Sequence, residues 1–516
     1  MAKERQNLLI PNRRGMIKSI GTIGIVGAVG NGTVSAQSGA QQISDWNDLH
    51  AIRDDLNGEY VLTTDLDEST AGYEEYIGDS EPGFEPIGKT HTEFTGTFDG
   101  QGNEIRDLVI KKPDSELVGL FGLAGDGAVV KNITLFGVEV TGDYDVGALI
   151  GGGNGTIKTS AVTGTVSGRR NVGGIVGRNR KATIRDSAAG VTITGESNVG
   201  GLVGKNDNKI RNSWATGEVT GDSSVGGLVG LHSYTGFTPG TIIESWASGD
   251  VEGDSTVGGL VGGSFHNDLE GEIMTSAASG TVTGESEVGG LIGSTSASTI
   301  ITNSVALGQV TGTEDVGGFA GYNKNTISNS FSCGAVTGDQ QIGGFLGSNS
   351  GEVTDSYWDL AGSDQSESIG RQNGDSNNIT GLSTVEMQGK VAEKNMSALD
   401  FDGTWKAVKN PADYPVLSSL TDNRDIQHLQ QQSYRDDVPT EQQSAGETES
   451  SEQDSEELNE SGTQESVTEN ESTQQEATDD TSSDSTPGFG ITGSIVAFGG
   501  AGYMIKRRLT GDQVDE

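Results

Sequence analysis

A hexapeptide of glycine and aliphatic residues, Val-Gly-Gly-Leu-Val-Gly or a close variant, occurs eight times in the middle of the chain. The copies begin 26 to 32 residues apart, at Val146, Val172, Val199, Val225, Val257, Val288, Val316 and Ile342. A period of this length indicates a solenoid. Short runs rich in Val and Ile alternate with Gly, Asp, Asn and Ser turns, so each unit is predicted to contain three short strands and no helix.

Units of this kind stack about 4.8 Å apart and pair their backbones from coil to coil. The sequence therefore predicts an all-β fold, a right-handed parallel β-helix of about ten three-stranded coils. Glycine is expected at turns with positive φ and at bends where a Cβ would collide with the next coil. One serine column is expected to form a hydroxyl ladder between coils rather than to supply a nucleophile, and comprises Ser160, Ser187, Ser213, Ser245, Ser276, Ser304, Ser330 and Ser356.

Both flanks of the repeats have the pattern of caps, which hide the open ends of a solenoid. An amphipathic helix is predicted from Ser44 to Leu56, and a strand from Tyr60 to Leu66. On the far side, a short helix is expected within 381–399. We expect the last coil to be covered by Trp405 and by the segment from Tyr414 to Leu417, Tyr-Pro-Val-Leu. The alternative is that these aromatic rings stack against sugars.

The charge is strongly negative, with 74 acidic and 32 basic residues and a net charge of -42. Phosphates would be repelled, so nucleic acid is excluded as a partner. Such acidity resembles that of proteins from salt-loving archaea. The single cysteine, Cys333, rules out an intrachain disulfide. It is predicted to be a small filler at the position that Thr163, Ala189, Thr216, Ser248 and Ser279 hold in other coils.

Acidic residues recur at equivalent turns and should stack into a ridge. The ridge residues three positions before the hexapeptide are Asp143, Glu196, Asp222, Asp254, Glu285 and Asp339, and those directly before it are Asp145, Glu287 and Asp315. A solvated face without a metal or cofactor is expected. The alternative is weak binding of calcium or magnesium along the ridge, since carboxylate oxygens are the ligands that these ions prefer.

The N-terminus has the pattern of an export signal. Arg13 and Arg14 precede an apolar run of small residues, and Ala36 and Gln37 flank a small-residue cleavage site. The arginine pair resembles a twin-arginine signal, which implies export of the folded chain by dedicated machinery. A membrane-spanning anchor is the alternative, but the run is short for about 30 Å of hydrocarbon.

The C-terminus combines three features of an anchor. Pro487, Gly488 and Phe489 open an apolar stretch of about eighteen residues, a predicted transmembrane helix, and Lys506, Arg507 and Arg508 follow it. This order resembles the PGF-CTERM sorting signal of archaeal surface proteins. The resemblance implies processing by an archaeosortase and replacement of the helix by a lipid anchor.

Between repeats and anchor lies an acidic segment rich in Gln, Ser, Thr and Glu, which predicts a disordered stalk. The predicted organisation is a signal peptide 1–36, N-terminal cap 37–96, β-helix 97–359, C-terminal cap 360–420, stalk 421–486, anchor 487–508 and tail 509–516. Glycosylation sequons begin at Asn132, Asn154, Asn378, Asn395, Asn459 and Asn470.

Two adjacent coils carry longer loops, 231–241, which includes His232, and 263–272. Insertions on one side of a solenoid favour binding sites. We therefore predict a ligand patch with aromatic rings for stacking and acids for hydroxyl groups, although a tolerated surface insertion is the alternative. Its residues are Tyr234, Phe237, Phe265, His266, Asp268 and Glu270.

The hexapeptides resemble those of the GLUG-repeat surface proteins, which are β-helical adhesins similar to filamentous haemagglutinin. The resemblance covers about residues 43–420 and includes the segments 94–102 and 355–359. GLUG repeats also accompany immunoglobulin-A-cleaving metallopeptidases, but no histidine here stands in a His-Glu-x-x-His zinc motif, so that activity is not implied.

The resemblance implies a non-enzymatic protein of the cell surface, anchored to the membrane, that adheres to surfaces, neighbouring cells or envelope glycans. Two alternatives stay open. One is a carbohydrate-active β-helix enzyme, a lyase or hydrolase, which would need paired carboxylates or a calcium site with a basic residue. The other is a passive spacer in the cell envelope. No catalytic residue is predicted.

Overall fold

The computed structural model describes residues 39–78, 82–234, 240–266, 270–373 and 378–420. For Tyr234 and His266 the description covers the backbone and not the side chain. The predicted parallel β-helix is confirmed, with about ten coils. Strands of successive coils pair in parallel and in register, as when Val172 lies beside Val199 and Val199 beside Val225.

Each complete coil passes through four sheets rather than the three predicted strands. We number the sheets I to IV in the order in which the chain visits them. Sheet I contains Glu116–Val118, Tyr144–Gly147, Arg170–Gly173, Ser197–Gly200, Ser223–Gly226, Ser255–Gly258, Ser286–Gly289, Glu314–Gly317 and Gln340–Gly343. Sheet II contains Phe121–Ala124, Ile150–Gly153, Val176–Asn179, Val203–Asn206, Val229–Tyr234, Val261–His266, Ile292–Ser294, Ala320–Asn323, Leu346–Asn349 and Ile369–Gln372.

The other two sheets complete each coil. Sheet III contains Gln41–Ile43, Glu59–Leu62, Thr97–Asp99, Val129–Lys131, Thr156–Lys158, Thr183–Arg185, Lys209–Arg211, Thr241–Ile243, Gly271–Met274, Thr299–Thr302, Thr326–Ser328 and Glu352–Thr354. Sheet IV contains Glu104–Arg106, Val109–Lys111, Thr134–Thr141, Ala161–Ser167, Ala188–Thr194, Trp214–Ala215, Val219–Thr220, Trp246–Ala247, Val251–Glu252, Ala277–Ala278, Val282–Thr283, Val305–Ala306, Val310–Thr311, Phe331–Ser332, Val336–Thr337, Ser356–Asp359 and Ile379–Leu382.

The additional strand arises inside the hexapeptide. Its first Val-Gly ends a strand of sheet I and its last Val-Gly begins a strand of sheet II, with a bend between them at residues such as Gly201 and Leu202. The predicted count of three strands in each unit did not include this division of the hexapeptide. The chain bends because Val199, Leu202 and Val203 all enter the core, where each is fully buried.

The outer faces of sheets I and II turn towards each other at this bend and form a cleft that follows the coils. A Cβ on Gly200 of sheet I would lie 2.2 Å from the Val203 carbonyl oxygen, and one on Gly204 of sheet II would lie 2.4 Å from the Asn171 carbonyl carbon. Distances this short are incompatible with any side chain. The hexapeptide glycines therefore allow two backbones to approach from outside the core.

Left-handed backbone, by contrast, falls on non-glycine residues, all of them polar except Leu117 in the two columns below, and not on the hexapeptide glycines. One column lies on sheet I and holds Leu117, Asp145, Asn171, Asn198, Ser224, Thr256, Glu287, Asp315 and Gln341. The other lies at the corner between sheets III and IV and holds Asn132, Thr159, Asp186, Asn212, Glu244, Thr275, Asn303, Asn329 and Asp355. The prediction of glycine at positive φ is thus wrong for these two columns, because Asn and Asp tolerate this conformation, and Asn171, Asn198 and Asn212 bond to their neighbours in the stack.

The N-terminal segment has the predicted helix, at Trp46–Ala51, and a 3-10 turn follows at Ile52–Asp54. Its N-cap is Asp45, whose carboxylate accepts the Asp48 amide at 2.9 Å. The predicted strand is shorter, Glu59–Leu62, and it joins sheet III. Trp46 is fully buried against Phe84, so this segment extends the core. A further short helix spans Tyr73–Tyr76.

The C-terminal segment packs on the side of the coils as well as at their end. Its elements are the helices Leu360–Ser363, Thr384–Met387 and Ala392–Asn395, the 3-10 turns Gly389–Val391 and Ser418–Leu420, and an antiparallel pair, Trp405–Lys406 with Val416–Leu417. Trp358 fills the interior position that Ser332 holds one coil earlier. Trp405 is instead buried against Phe331 on the outer face of sheet IV, with ring centroids 5.3 Å apart.

Candidate ligand-binding surfaces

The serine column forms the predicted ladder. The Ser187 amide donates to Ser213 Oγ at 3.3 Å, and Ser213 Oγ donates to the Arg211 carbonyl at 2.9 Å. The amide-to-hydroxyl bond recurs at every step from Ser160 to Ser356, and all eight serines are buried. Because each hydroxyl proton is held by a backbone carbonyl, these serines act as struts between coils.

The acidic positions three residues before the hexapeptide stack into a ridge as predicted, whereas Asp145, Glu287 and Asp315 form a separate column on sheet I, where Asp145 and Asp315 are buried. The Asp222 carbonyl accepts the amides of Asp254 and Ser255, and the same pair of bonds links the ridge positions from Asp143 to Asp339. Arg169 and Thr313 occupy two of these positions, so the run of carboxylates is interrupted. Arg169 binds Asp143 through two hydrogen bonds and lowers the pKa of that carboxyl group.

The described ranges contain no group of three or more His, Cys, Asp or Glu side chains arranged to hold a metal ion. Weak calcium binding along the ridge stays a prediction. A separate acidic hollow of about 240 Å³ lies on sheet IV, and its lining residues are Glu218, Asp250, Val251, Glu252, Thr281 and Thr283. The Asp250 carboxylate accepts the Thr281 amide at 2.9 Å, which ties this carboxylate to the next coil.

The two long loops contain more strand than the sequence suggests. Val229–Tyr234 and Val261–His266 pair directly, with Ser233 beside Phe265 and Tyr234 beside His266. His232 is not in a loop: it is fully buried, and its Nδ1 lies 3.1 Å from Asn206 Nδ2. Phe265 is 55% exposed and Glu270 is exposed, whereas Phe237 and Asp268 lie outside the described residues. The ligand patch therefore stays a prediction.

Four of the six sequons lie in the described ranges, and three have an engaged amide. Asn132 Nδ2 donates to Asp99, Asn378 Nδ2 to Asp355, and Asn395 Nδ2 to the Glu386 carbonyl. Asn154 is half-buried, with its side-chain oxygen enclosed. Asn459 and Asn470 lie outside the described residues. A glycan on Asn132, Asn378 or Asn395 would have to displace a hydrogen bond.

Cys333 is buried as predicted, although on the outer face of sheet IV under the C-terminal segment. In the stack it follows Leu307, Ser279, Ser248 and Thr216, and the earlier coil contributes Gly190 rather than Ala189. The predicted position was shifted by one residue in that coil, since Thr163 of the coil before pairs with Gly190.

A buried carboxylate fastens the C-terminal segment to the last coils, and the sequence alone did not single it out. Asp359 is fully buried and accepts hydrogen bonds from Tyr414 Oη at 2.5 Å and Thr384 Oγ1 at 2.9 Å. It also caps Leu360–Ser363 by accepting the Ala361 amide. Burial is the main reason why the pKa of Tyr414 is raised. The sequence signal that could have identified this residue is the position of Asp359 directly before a helix, where an aspartate commonly serves as N-cap.

The export and anchoring residues lie outside the described ranges. These are Arg13, Arg14, Ala36, Gln37, Pro487, Gly488, Phe489, Lys506, Arg507 and Arg508. Within the ranges that the structure does describe, the helices are too short and too polar to cross a membrane.

Comparison with known proteins supports the repeat and its setting. The family model described as "The GLUG motif" matches residues 195–220, one complete coil. Halomucin of Haloquadratum walsbyi is 38% identical over 151 residues, 29% of this chain and 2% of its own length. A candidate Gly-rich membrane protein of Evansella cellulosilytica is 31% identical over 138 residues, 20% of this chain and 16% of its own length.

One solved structure is also similar, that of a candidate immunoglobulin A1 protease from Bacteroides ovatus. It is 16% identical, with a TM-score of 0.36 over 74% of this chain and 94% of that one.

This chain spans only 2% of the length of halomucin and 16% of the length of the Gly-rich membrane protein. The GLUG match and these relatives support a surface or membrane-associated protein with GLUG repeats.

Proposed function

We propose that this protein is a non-enzymatic adhesive rod, held at the cell surface, that binds surfaces, neighbouring cells or envelope glycans. The observation that carries the proposal is the in-register stacking of the GLUG coils, which presents the same outward positions again in every coil. Many weak contacts at regular intervals can add up to firm attachment without one deep pocket.

Export and anchoring belong to the same proposal. The twin arginines Arg13 and Arg14 would direct the folded chain out of the cell. The Pro487-Gly488-Phe489 segment and its basic residues would then be processed by an archaeosortase into a lipid anchor. Replacing both arginines by Lys should leave the chain inside the cell, and fractionation with an antibody to the coils would measure this. Unchanged export would contradict the twin-arginine route.

Adhesion is testable on cells that make the full chain. Cells with and without it are compared, in molar salt, for retention on polysaccharide-coated beads and for clumping with one another. We expect retention or clumping to fall when the protein is absent. Equal retention and equal clumping would favour a passive spacer.

The enzyme alternative predicts a different result with the same polysaccharides. Incubation with the purified full chain would generate new chain ends over time if the protein were a lyase or hydrolase. Our proposal requires that the polysaccharides stay intact while the protein binds to them. Scission would overturn the non-enzymatic proposal, and the carboxylates near the two long loops, Asp268 and Glu270, would become the first residues to replace.

A further inference from the structure

Positive charge is concentrated in a short part of this acidic chain. Residues 158–211 contain ten Lys or Arg and three Asp or Glu, in a protein that has 74 acidic and 32 basic residues in total. These two to three coils therefore carry a net charge of about +7 where the whole protein carries -42. Uniform surface acidity does not explain such a reversal.

Four of the basic side chains line the cleft between sheets I and II or its rim. Arg178 and Lys205 are register neighbours on sheet II, and Arg170 lies on the facing strand of sheet I. Arg180 follows Arg178 at the end of the same strand, and its guanidinium is 3.8 Å from the Asp145 carboxylate. We call this group, together with the buried Asp145 and Asp207, the basic cleft.

The cations of the basic cleft are incompletely neutralised. Arg178 lies 3.8 Å from Asp207, a loose ion pair, and Asp207 also accepts a hydrogen bond from Ser233. Within the part of the chain that the structure describes, neither Arg170 nor Lys205 forms an ion pair. Burial and the neighbouring Arg178 and Arg170 lower the pKa of Lys205, while Asp207 and Asp145 oppose this. A bound anion would relieve this repulsion.

The far end of the same cleft shows the opposite arrangement. Arg371 donates to Asp315 Oδ2 at 3.2 Å and to Ser348 Oγ at 3.0 Å, so its charge is matched within the protein. Lys324 donates to Ser294 Oγ and lies 4.4 Å from the Tyr322 ring centroid. Cations are therefore internally paired in one part of the cleft and left available in another.

We propose that the basic cleft binds an anionic polysaccharide, through carboxylate or sulfate groups spaced along the coils. This inference deepens the proposed function by naming the chemical class of its ligand, and it rests on that function. A polysaccharide suits a groove that runs along stacked coils about 4.8 Å apart, because successive charged groups can meet successive cations. Arginine forks and a lysine supply the matching donors.

A single-stranded nucleic acid is the less suitable polyanion. Proteins that bind single strands combine positive charge with aromatic rings on which the bases stack. Among the described residues beside the basic cleft, Tyr144 is the aromatic neighbour of Arg170 in the stack, and its ring is already covered by Arg169 at 4.3 Å. The cleft thus offers charge and hydrogen bonds without a stacking platform.

The test measures binding of the full chain to four immobilised probes: alginate, dextran sulfate, neutral dextran and a single-stranded DNA. The variant Arg178→Gln with Lys205→Gln removes two cleft charges, and Lys158→Gln with Lys209→Gln removes two charges from sheet III, one in the coil of Lys205 and one in the coil before Arg178. We expect the first double variant to bind the acidic polysaccharides about tenfold more weakly or worse, since a hydrogen bond to a charged group contributes on the order of 1.5 kcal/mol. The second should change binding less than about twofold.

A third variant, Arg178→Lys with Lys205→Arg, checks that charge and not folding is responsible and should restore most of the binding. Comparing binding to alginate with binding to dextran sulfate shows whether the cleft prefers carboxylate or sulfate groups. No binding of the unchanged protein to either acidic polysaccharide would overturn this inference, while retention on beads of neutral dextran would leave the adhesive function standing. Equal weakening in both double variants, or tighter binding to the DNA, would also overturn it.

Discussion

The cleft between sheets I and II and the corner between sheets III and IV solve the same problem, a sharp change of direction, by different means. At the cleft, glycines such as Gly204 give two backbones room to approach. At the corner, polar residues such as Asn212 adopt left-handed backbone, and a buried serine follows each of them from Thr159 to Asp355. The comparison separates two properties of glycine, its missing Cβ and its tolerance of positive φ.

Only the first of these properties is used by the hexapeptide. The glycine positions of the cleft, such as Gly200 and Gly204, admit no side chain whatever its chemistry, because the obstacle is backbone from the opposite sheet. The corner has room for a side chain and gains from it, since Asn212 Nδ2 donates to Asp186 Oδ1 at 2.8 Å. Substitutions at the cleft should therefore be penalised by packing, and substitutions at the corner by lost hydrogen bonds.

The largest effect is expected for Gly204→Ala. Its Cβ would lie 2.4 Å from backbone atoms of Asn171 and Val172, so a coil must shift. Overpacking of this kind should lower the free energy of unfolding by about 3 kcal/mol. Urea denaturation would measure it. Gly102→Ala is the matched control, because Gly102 has φ +85 and open space around it, and should lose about 1 kcal/mol. Equal losses would remove the distinction between the two properties.

Ser213→Ala should have the next largest effect. The change removes the acceptor of the Ser187 amide and the donor to the Arg211 carbonyl, both inside the ladder. An unsatisfied buried polar group costs about 1 to 3 kcal/mol, so we expect a loss of about 2 kcal/mol in urea denaturation. Ser223→Ala, on the half-exposed surface of sheet I, should change stability by less than about 0.5 kcal/mol. A neutral Ser213→Ala would show that the ladder does not hold the coils together.

Asn212 tests the left-handed corner directly. Asn212→Ala loses the hydrogen bond to Asp186 and places an unfavourable residue at φ 46, which should lower stability by about 1.5 kcal/mol. Asn212→Gly loses the same hydrogen bond without the backbone strain, and should lose about half as much. Thermal denaturation of both variants would rank them. If Gly were worse than Ala, backbone strain would not govern this corner.

The smallest effect is expected from pH, and it should come from the corner. Burial alone would raise the pKa of Asp99, but hydrogen bonds from Asn132, the Gln101 amide and Lys131 outweigh it and lower that pKa. A lowered folded pKa adds stability above the unfolded value of about 4, which is lost as the pH falls through the folded value. Asp99→Asn should therefore be less stable than the unchanged protein at pH 7, with the difference shrinking below about pH 4. A difference independent of pH would contradict this assignment.

The sequence predicted the stacking well, because in-register columns need only the repeat period. The serine ladder and the ridge from Asp143 to Asp339 both followed from equivalent positions in successive copies. The bend at Gly201 and Leu202 was not predicted, since a run of small apolar residues reads the same whether it is straight or folded back on itself. The left-handed backbone at Asn212 could have been predicted, because Asn or Asp often stands directly before the ladder serine and both residues tolerate positive φ.

The candidate sites were harder to predict because they depend on which columns face one another. His232 was expected in a loop, but Val229–Tyr234 pairs with Val261–His266 and carries it into the core. Arg178 and Lys205 occupy a variable position after the hexapeptide, and only the cleft brings them opposite Arg170. The reversal of charge over 158–211 was the one sign of that cluster in the sequence.

The ladder bonds described above all run in one direction, from the amide of one serine to the hydroxyl of the next along the chain. The ladder therefore has a direction, and each coil inside it offers one amide donor to the coil that follows and one hydroxyl acceptor to the coil that precedes. The gain or loss of one whole copy would therefore leave the ladder intact, whereas an insertion inside a strand would misalign the columns that this strand joins. The length of this protein is free to vary in steps of one coil.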